Sequence, residues 1–442
     1  MDIVSFLKKH GMYSEDLDPD LELEKFLAEM REALDGKDRS LLMIPTYIGS
    51  GNRPNGQRVI ALDAGGTHYR VSLVCFDEAG TAQVRYLEKM PMPGTRGALD
   101  KDAFFGEIAA AMMPIARESD QVGFCFSFPA DILPDREGRI IGFAKEVRVS
   151  GAEGALIGEN INRQLRCLGC NEKKIVILND TAATLLAGMA EGRDRYDGYT
   201  GFILGTGTNT AYLERAGNIG KVISETDLMI INMESGMYDG FPQGDHDREL
   251  DRESSRPGDH LTEKMISGAY MGELIWRTVR DAVAEGLFSR EFGERFARRG
   301  VFCAADITEF CDGSQGSAIA ELIADDKDET VLRRIIENYF DRAARILAVS
   351  FAAILIQTDT GCSRERPHCV TAEGTTFERS RLLRMMLARY ITGWINGKLG
   401  RYCEIRQVEQ ATIRGSALAA IQSAPGRRSG RLDGSGRSEA NM

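Results

Sequence analysis

A strand, a turn of small residues and a second strand occur twice in this chain, and that repetition limits the fold more than any other feature. The first instance is RVIALDA, GGT and HYRVSLVCFD, starting at Arg58; the second is YTGFILG, TGT and NTAYLERAG, about 140 residues later. Apolar, β-branched runs that meet at glycine are hairpin signals. Apolar strands VGFCFSFP and KIVILND alternate with helical patterns at 102–117 and in TAATLLAGMA, so the chain is expected to form an α/β layered structure. The hairpins are too unlike to be a sequence repeat, yet they imply two related lobes facing a common cleft.

Elsewhere the pattern is mostly helical. Leu21, Phe26, Leu27, Met30 and Leu34 recur at helical steps, and the turn formers of SGNRPNG place a boundary near 57. Residues 262–285 and 328–357 read as helices, HCVTAEGTT as a strand ending in a glycine turn, and SRLLRMMLARYITGW and RGSALAAIQ as helices. The last residues, APGRRSGRLDGSGRSEANM, have almost no apolar content and are expected to be a disordered tail.

With 442 residues the chain exceeds one ordinary core. A net charge of -11 argues against a nucleic-acid partner, because phosphate backbones need a basic face. No stretch approaches the ~20 apolar residues of a membrane helix, and MDIVSFLKKHGMYSED lacks the features of a signal peptide, so no membrane association and a cytoplasmic location are expected. Nine cysteines, an odd number, suit reduced thiols. Cys167 and Cys170 form a CxxC pair with no matching second pair, so they are expected to pack rather than bind zinc.

Three places can carry chemistry. The turn Gly65-Gly66-Thr67 after Asp63 offers backbone NH groups with no side chains in the way, which suits a polyphosphate, and Asp63 can place Mg²⁺ directly or through water. Gly205-Thr206-Gly207-Thr208 is a second such loop, and two loops can clasp a triphosphate. Asn179-Asp180-Thr181 lies where an apolar strand meets a helix, the end of an α/β sheet at which ligands bind. On local sequence Asp180 reads equally as a helix cap and as an acid–base group. Ser127, Lys145, Glu234 and Glu263 are polar candidates with no distinctive local context.

Taken in order, the motifs SLLMIPTYI, LDAGGTHYRV, GFCFSFP, LNDTAATL, GTGTNTAYLE, INMESG, DRESSRPGDHLTEKMISGAYMGEL and AEGTT resemble those of the hexokinase family, from about 41 to 422. The resemblance implies a two-lobed actin-like ATPase (ribonuclease H-like) fold with an interlobe cleft. It implies a division into 1–57 (helical segment docking on the large lobe), 58–190 (small lobe), 191–410 (large lobe), 411–424 (helix returning to the small lobe) and the tail 425–442. Asp180 would be the general base, aided by Lys145. Ser127, Lys145, Asn179, Asn209, Glu234 and Glu263 would contact a hexose; Asp63, Gly65, Gly66, Thr67, Arg70, Gly205, Thr206, Gly207, Thr208, Gly374 and Thr375 would bind ATP, with Mg²⁺ near Asp63.

The implied activity is ATP-dependent phosphorylation of glucose at the 6-hydroxyl, the first step of glycolysis, by a monomer or homodimer. The alternatives are another hexose or amino sugar as acceptor, or a non-catalytic sugar sensor. Some positions depart from the pattern. The usual Trp-Thr-Lys-Gly-Phe is Phe143-Ala144-Lys145-Glu146-Val147; Ser235 replaces a tryptophan, Cys125 a threonine, Ala269 a frequent lysine, and AEGTT the usual Asp-Gly-Ser.

Overall fold

The computed structural model describes residues 1–422 except 52, 67, 144–146, 193, 223–225 and 314–316. Thr67, Lys145 with its neighbours Ala144 and Glu146, and the expected tail at 425–442 thus lie outside the described residues.

Two sheets carry the fold. In the first, β1 (Arg58–Ala64), β2 (His68–Phe76) and β3 (Ala82–Pro91) make an antiparallel meander. On the other side of β1, β4 (Gln121–Phe126) and then β5 (Lys174–Leu178) add in parallel, giving the order β5-β4-β1-β2-β3. The second sheet follows the same plan. Here β6 (Gly198–Leu204), β7 (Thr208–Arg215) and β8 (Leu228–Asn232) form the meander, and β9 (His368–Glu373) and β10 (Cys403–Arg406) lie in parallel beyond β6. Only the two-residue strand Ile44–Pro45, paired to β8, is extra. The echo in the sequence is therefore an echo of topology, with the glycine turn in the same place in both sheets. β1 is buried at every position after Arg58, as a central strand of Val, Ile, Ala and Leu must be.

Four helices position the site: α1 (Pro19–Leu34), α2 (Asp180–Gly192), α3 (Asp326–Thr358) and α4 (Ala411–Ile421). α2 and α4 pack on each other between the sheets. There Val59, Ala61 and Val176 of the first sheet and Ala211, Ile230 and Cys369 of the second share one core with both helices. The approach is close because glycine allows it. A Cβ on Gly415 would run into the Ala183 carbonyl, and one on Gly123 of β4 into that of Ser416. α1 belongs to a different core, where Phe26 and Met30 join α3 and the inner residues Phe202 and Tyr212 of the second sheet.

The helix expected over 262–285 is two helices, Leu261–Ile266 and Gly268–Ala284, divided by Ser267 in extended backbone. The reason is a hydrogen bond to another element: Gly268 N donates to Gly205 O at 2.9 Å, so the second helix begins against the glycine loop. The helix expected over 102–117 ends at Met112 and continues as turns. Among the described residues no helix is long and apolar enough to cross a membrane.

Candidate active site

The junction after β5 decides what Asp180 can do. Asn179 Oδ1 accepts the backbone NH of Thr181 at 2.9 Å and its hydroxyl at 2.5 Å, so Asn179 caps α2. Asp180, the first helical residue, is left free of that cap, beside Ser127, Asp63 and Glu234. Ser127 is held by its own NH, which donates to Ala64 O at 3.1 Å across the end of β1. Burial, then the charges of Asp63 and Glu234, push the Asp180 carboxyl up to about 7, against the bonds from Thr181 and Ser127.

The second sheet supplies a polar network opposite. Asn209, second residue of β7, donates through Nδ2 to Asn232 Oδ1 at 2.8 Å and to Glu234 Oε1 at 3.1 Å. Asn232 in turn donates to the same Glu234 oxygen at 2.7 Å. Glu234 has left-handed backbone (φ 55), a strained conformation held by this network. Glu263, on the short helix before the Ser267 break, accepts the NH of Thr208 at 3.0 Å. Burial pushes both glutamates above the usual carboxylate range.

The second glycine loop is tied to two neighbouring elements. Gly205 N bonds Gly207 O at 2.9 Å, while Gly205 O accepts from Gly268 N and from the Thr376 hydroxyl at 2.8 Å, and Thr206 O accepts from Ala269 N at 3.2 Å. The Gly205–Thr208 loop is thus fixed from below by both the 268–284 helix and the turn after β9. That turn needs glycine: Gly374 has φ 110, and a Cβ there would meet the Leu204 carbonyl. It places Thr375 at the start of a short helix beside Gly205. In the other loop Gly65 N bonds His68 O at 3.1 Å, and a Cβ on Gly66 would meet nothing within 4 Å, which leaves the backbone there open.

Asp63, the last residue but one of β1, is almost fully buried, paired with the Arg70 guanidinium and accepting the Thr412 hydroxyl of α4 at 3.2 Å. Arg70 also reaches Thr412 Oγ1 at 2.9 Å. With Oδ2 taken by these partners, a magnesium ion at Asp63 would have the other carboxylate oxygen and water, the hard ligands it takes.

Three residues that sequence reasoning missed belong here: Asn232, Thr412 and Glu373. Glu373, at the end of β9, accepts the NH of Ala411 at 3.1 Å and so caps α4 from another element; its carboxyl is lifted to about 7, chiefly by burial. Asn232 had a signal, a polar residue closing an apolar strand two positions before Glu234. Glu373 had one too, as the acidic residue of AEGTT that stands at the aspartate of the usual Asp-Gly-Ser; Thr412 had none, since only the fold brings it to Asp63 and Arg70.

A family model described as hexokinase matches residues 13–190, and a second, also described as hexokinase, matches 199–422, more than half of the chain. Hexokinase-7 of Oryza sativa is 28% identical over 409 residues, covering 86% of this chain and 87% of that protein. Hexokinase-3 of Mus musculus is 29% identical over 422 residues, covering 88% of this chain, but this chain spans only 44% of that protein's length. The solved structure of Schistosoma mansoni hexokinase complexed with glucose has a TM-score of 0.73 at 22% identity, over 95% of this chain and 100% of that one. Another hexokinase crystal structure has a TM-score of 0.77 at 19% identity, over 95% and 99%. The duplicated strand order is that of the two-lobed actin-like ATPase fold, and with both family models matching in sequence along nearly all its length, the chain belongs to the hexokinase family.

Proposed function

We propose that this chain transfers the γ-phosphoryl group of Mg-ATP to the 6-hydroxyl of a hexose, with glucose as the acceptor. The observation that carries the proposal is Asp180. It is relieved of capping by Asn179, lies beside Asp63 and Glu234, and is raised to about 7. A sugar hydroxyl is a poor nucleophile at neutral pH, and Asp180 accepts its proton as the new bond to phosphorus forms. A base with a pKa near the working pH combines availability with driving force.

The remaining roles follow from position. Glu234 and Glu263, oriented by Asn209, Asn232 and Thr208, accept hydrogen bonds from sugar hydroxyls, and Ser127 and the Asn179 amide bind on the opposite wall. The Gly205–Thr208 and Gly65–Thr67 loops hold phosphate oxygens with backbone NH groups, Gly374 and Thr375 border the nucleotide, and Lys145 offsets charge on the transferring group. Magnesium, bound with the nucleotide near Asp63 and Arg70, supplies charge neutralisation of the phosphate oxygens. The lobes taken as 58–190 and 191–410 close over the sugar, which excludes water that would otherwise compete as acceptor.

The test is a coupled ADP-release assay over a panel of sugars. Glucose should give turnover, and Asp180→Ala should lower kcat by roughly 10²–10⁴, the span of general acid–base catalysis, while sugar binding is largely kept. No ADP release with any hexose would leave only a sugar sensor. A second reading, a different hexose or an amino sugar, is favoured by Ser235. It stands where the family resemblance expects tryptophan, a far larger side chain next to Glu234, and turns its hydroxyl inward to Thr210 at 3.0 Å. A higher kcat/KM for mannose or glucosamine than for glucose would establish that reading.

A further inference from the structure

Asn179 has one end of its amide filled and the other open. Its Oδ1 accepts two hydrogens from Thr181, one from the backbone NH at 2.9 Å and one from the hydroxyl at 2.5 Å. A backbone NH can only donate, so the atom facing it is the oxygen, and the orientation of the amide follows. Nδ2, at the other end, has no hydrogen-bond partner among the described residues, and Asn179 is only half-buried where it follows β5.

The Thr181 hydroxyl has one hydrogen and two acceptors in reach. It is fully buried, and besides Asn179 Oδ1 it lies 3.3 Å from Asn232 Oδ1. That second acceptor is already engaged. Asn209 Nδ2 donates to it at 2.8 Å, and Asn232 is kept in this orientation by its own donation to Glu234 Oε1 at 2.7 Å. The shorter contact therefore takes the hydrogen, and the hydroxyl bonds Asn179. Asn232 ends β8 of the second sheet and Asn179 follows β5 of the first, so at Thr181 the polar network around Glu234 meets the junction that carries Asp180.

We propose that Thr181 is a positioning residue for the acceptor sugar: its hydroxyl pins the Asn179 oxygen, so that the amide offers its NH₂ group, and only that group, to a sugar hydroxyl oxygen. This role presupposes the sugar contact proposed above for Asn179. Without the hydroxyl the amide is held by the backbone NH alone and swings more widely, so the sugar meets a donor that has first to be ordered. Proton transfer at Asp180 and the phosphate loops are untouched, and the effect falls on KM for the sugar. Valine has the shape of threonine without the hydroxyl. Both amide oxygens then keep another donor, Thr181 N and Asn209 Nδ2, so neither is orphaned by that change.

Steady-state kinetics and isothermal titration calorimetry with glucose, on the full chain, test this. Thr181→Val should raise KM and Kd for glucose about five- to tenfold, the worth of one ordinary hydrogen bond, with kcat and KM for ATP within about twofold of wild type, and Thr181→Ser should restore wild-type values. In a series of monodeoxyglucoses, the penalty for one missing hydroxyl should shrink in Thr181→Val while the others stay. Asn179→Ala should raise KM at least as far, and Thr181→Val added to it should change nothing more, whereas a merely structural defect would add. Unchanged KM and Kd in Thr181→Val, an equal loss in Thr181→Ser, or additive effects in the double variant would overturn the role. If circular dichroism finds Thr181→Val unfolded, Asn179→Ala decides: wild-type affinity with the wild-type deoxy-sugar pattern would equally overturn it. Glucose bound but not turned over by wild type would refute the kinase reading alone, with Thr181 then judged on Kd, and glucose not bound at all would overturn both.

Discussion

Burial beside Asp63 and Glu234 makes Asp180 a carboxyl that is half-ionised near neutrality, and a base must be ionised to work. Sugar kcat/KM should therefore fall about tenfold per pH unit below about 7 in a pH–rate profile. Glu373, lifted to a similar value in the same region, is the control: an acid limb that survives in Glu373→Gln belongs to Asp180, and one that vanishes belongs to Glu373. The same shift sets a stability expectation. A carboxyl whose folded pKa is raised is penalised only when ionised, so the cost is absent below pH 4 and complete above about 7. Asp180→Asn should accordingly stabilise the protein at pH 8 by about 2 kcal/mol, roughly half of what three pKa units represent because the group is partly exposed, and do little below pH 4. Differential scanning calorimetry at the two pH values checks the sign. In the sequence the strand–helix junction offered Asp180 as either the cap or the acid–base group, and Asn179 was not read as a cap. Which of them capped depended on side-chain direction, which local propensity does not set.

At the scale of elements, the strands were the most legible part, because buried Val, Ile and Leu closed by glycine admit few other conformations. Helix limits were less so. The apolar period runs unbroken through Ser267, and what interrupts the helix there is the distant Gly205 carbonyl, invisible to any local pattern. Gly415 was read only as part of a helical stretch, whereas its position is fixed by the carbonyl of Ala183 on α2. Gly415→Ala should force α2 and α4 apart and cost about 1–3 kcal/mol despite alanine's better helix propensity, as denaturant unfolding will show. A neutral or stabilising result would mean that the two helices can separate freely.

Across the whole molecule, the two glycine hairpins announced two like halves, and both sheets do share one strand order. The sequence could not say which segments outside the hairpins serve which sheet. α4, more than 200 residues after β5, packs on the first sheet, and α1, from before β1, packs on α3. With α2 and α4 as the connection between the halves, a sugar that bridges Asp180 on one side and Glu234 on the other should draw them together. Small-angle scattering should give a smaller radius of gyration with saturating glucose, and Glu234→Ala should abolish the change.

The placement of α4 also has a bearing on how the chain is made. The first sheet can pair its strands once Leu178 has left the ribosome, but its inner face, at Ala61 and Gly123, is covered only when residues 411–421 have been synthesised. For the time needed to translate the intervening residues, at ~5–20 per second, that half remains uncapped and its apolar face open to chaperones. A nascent chain arrested anywhere before residue 411 is therefore an unfinished domain, however completely its own strands have formed.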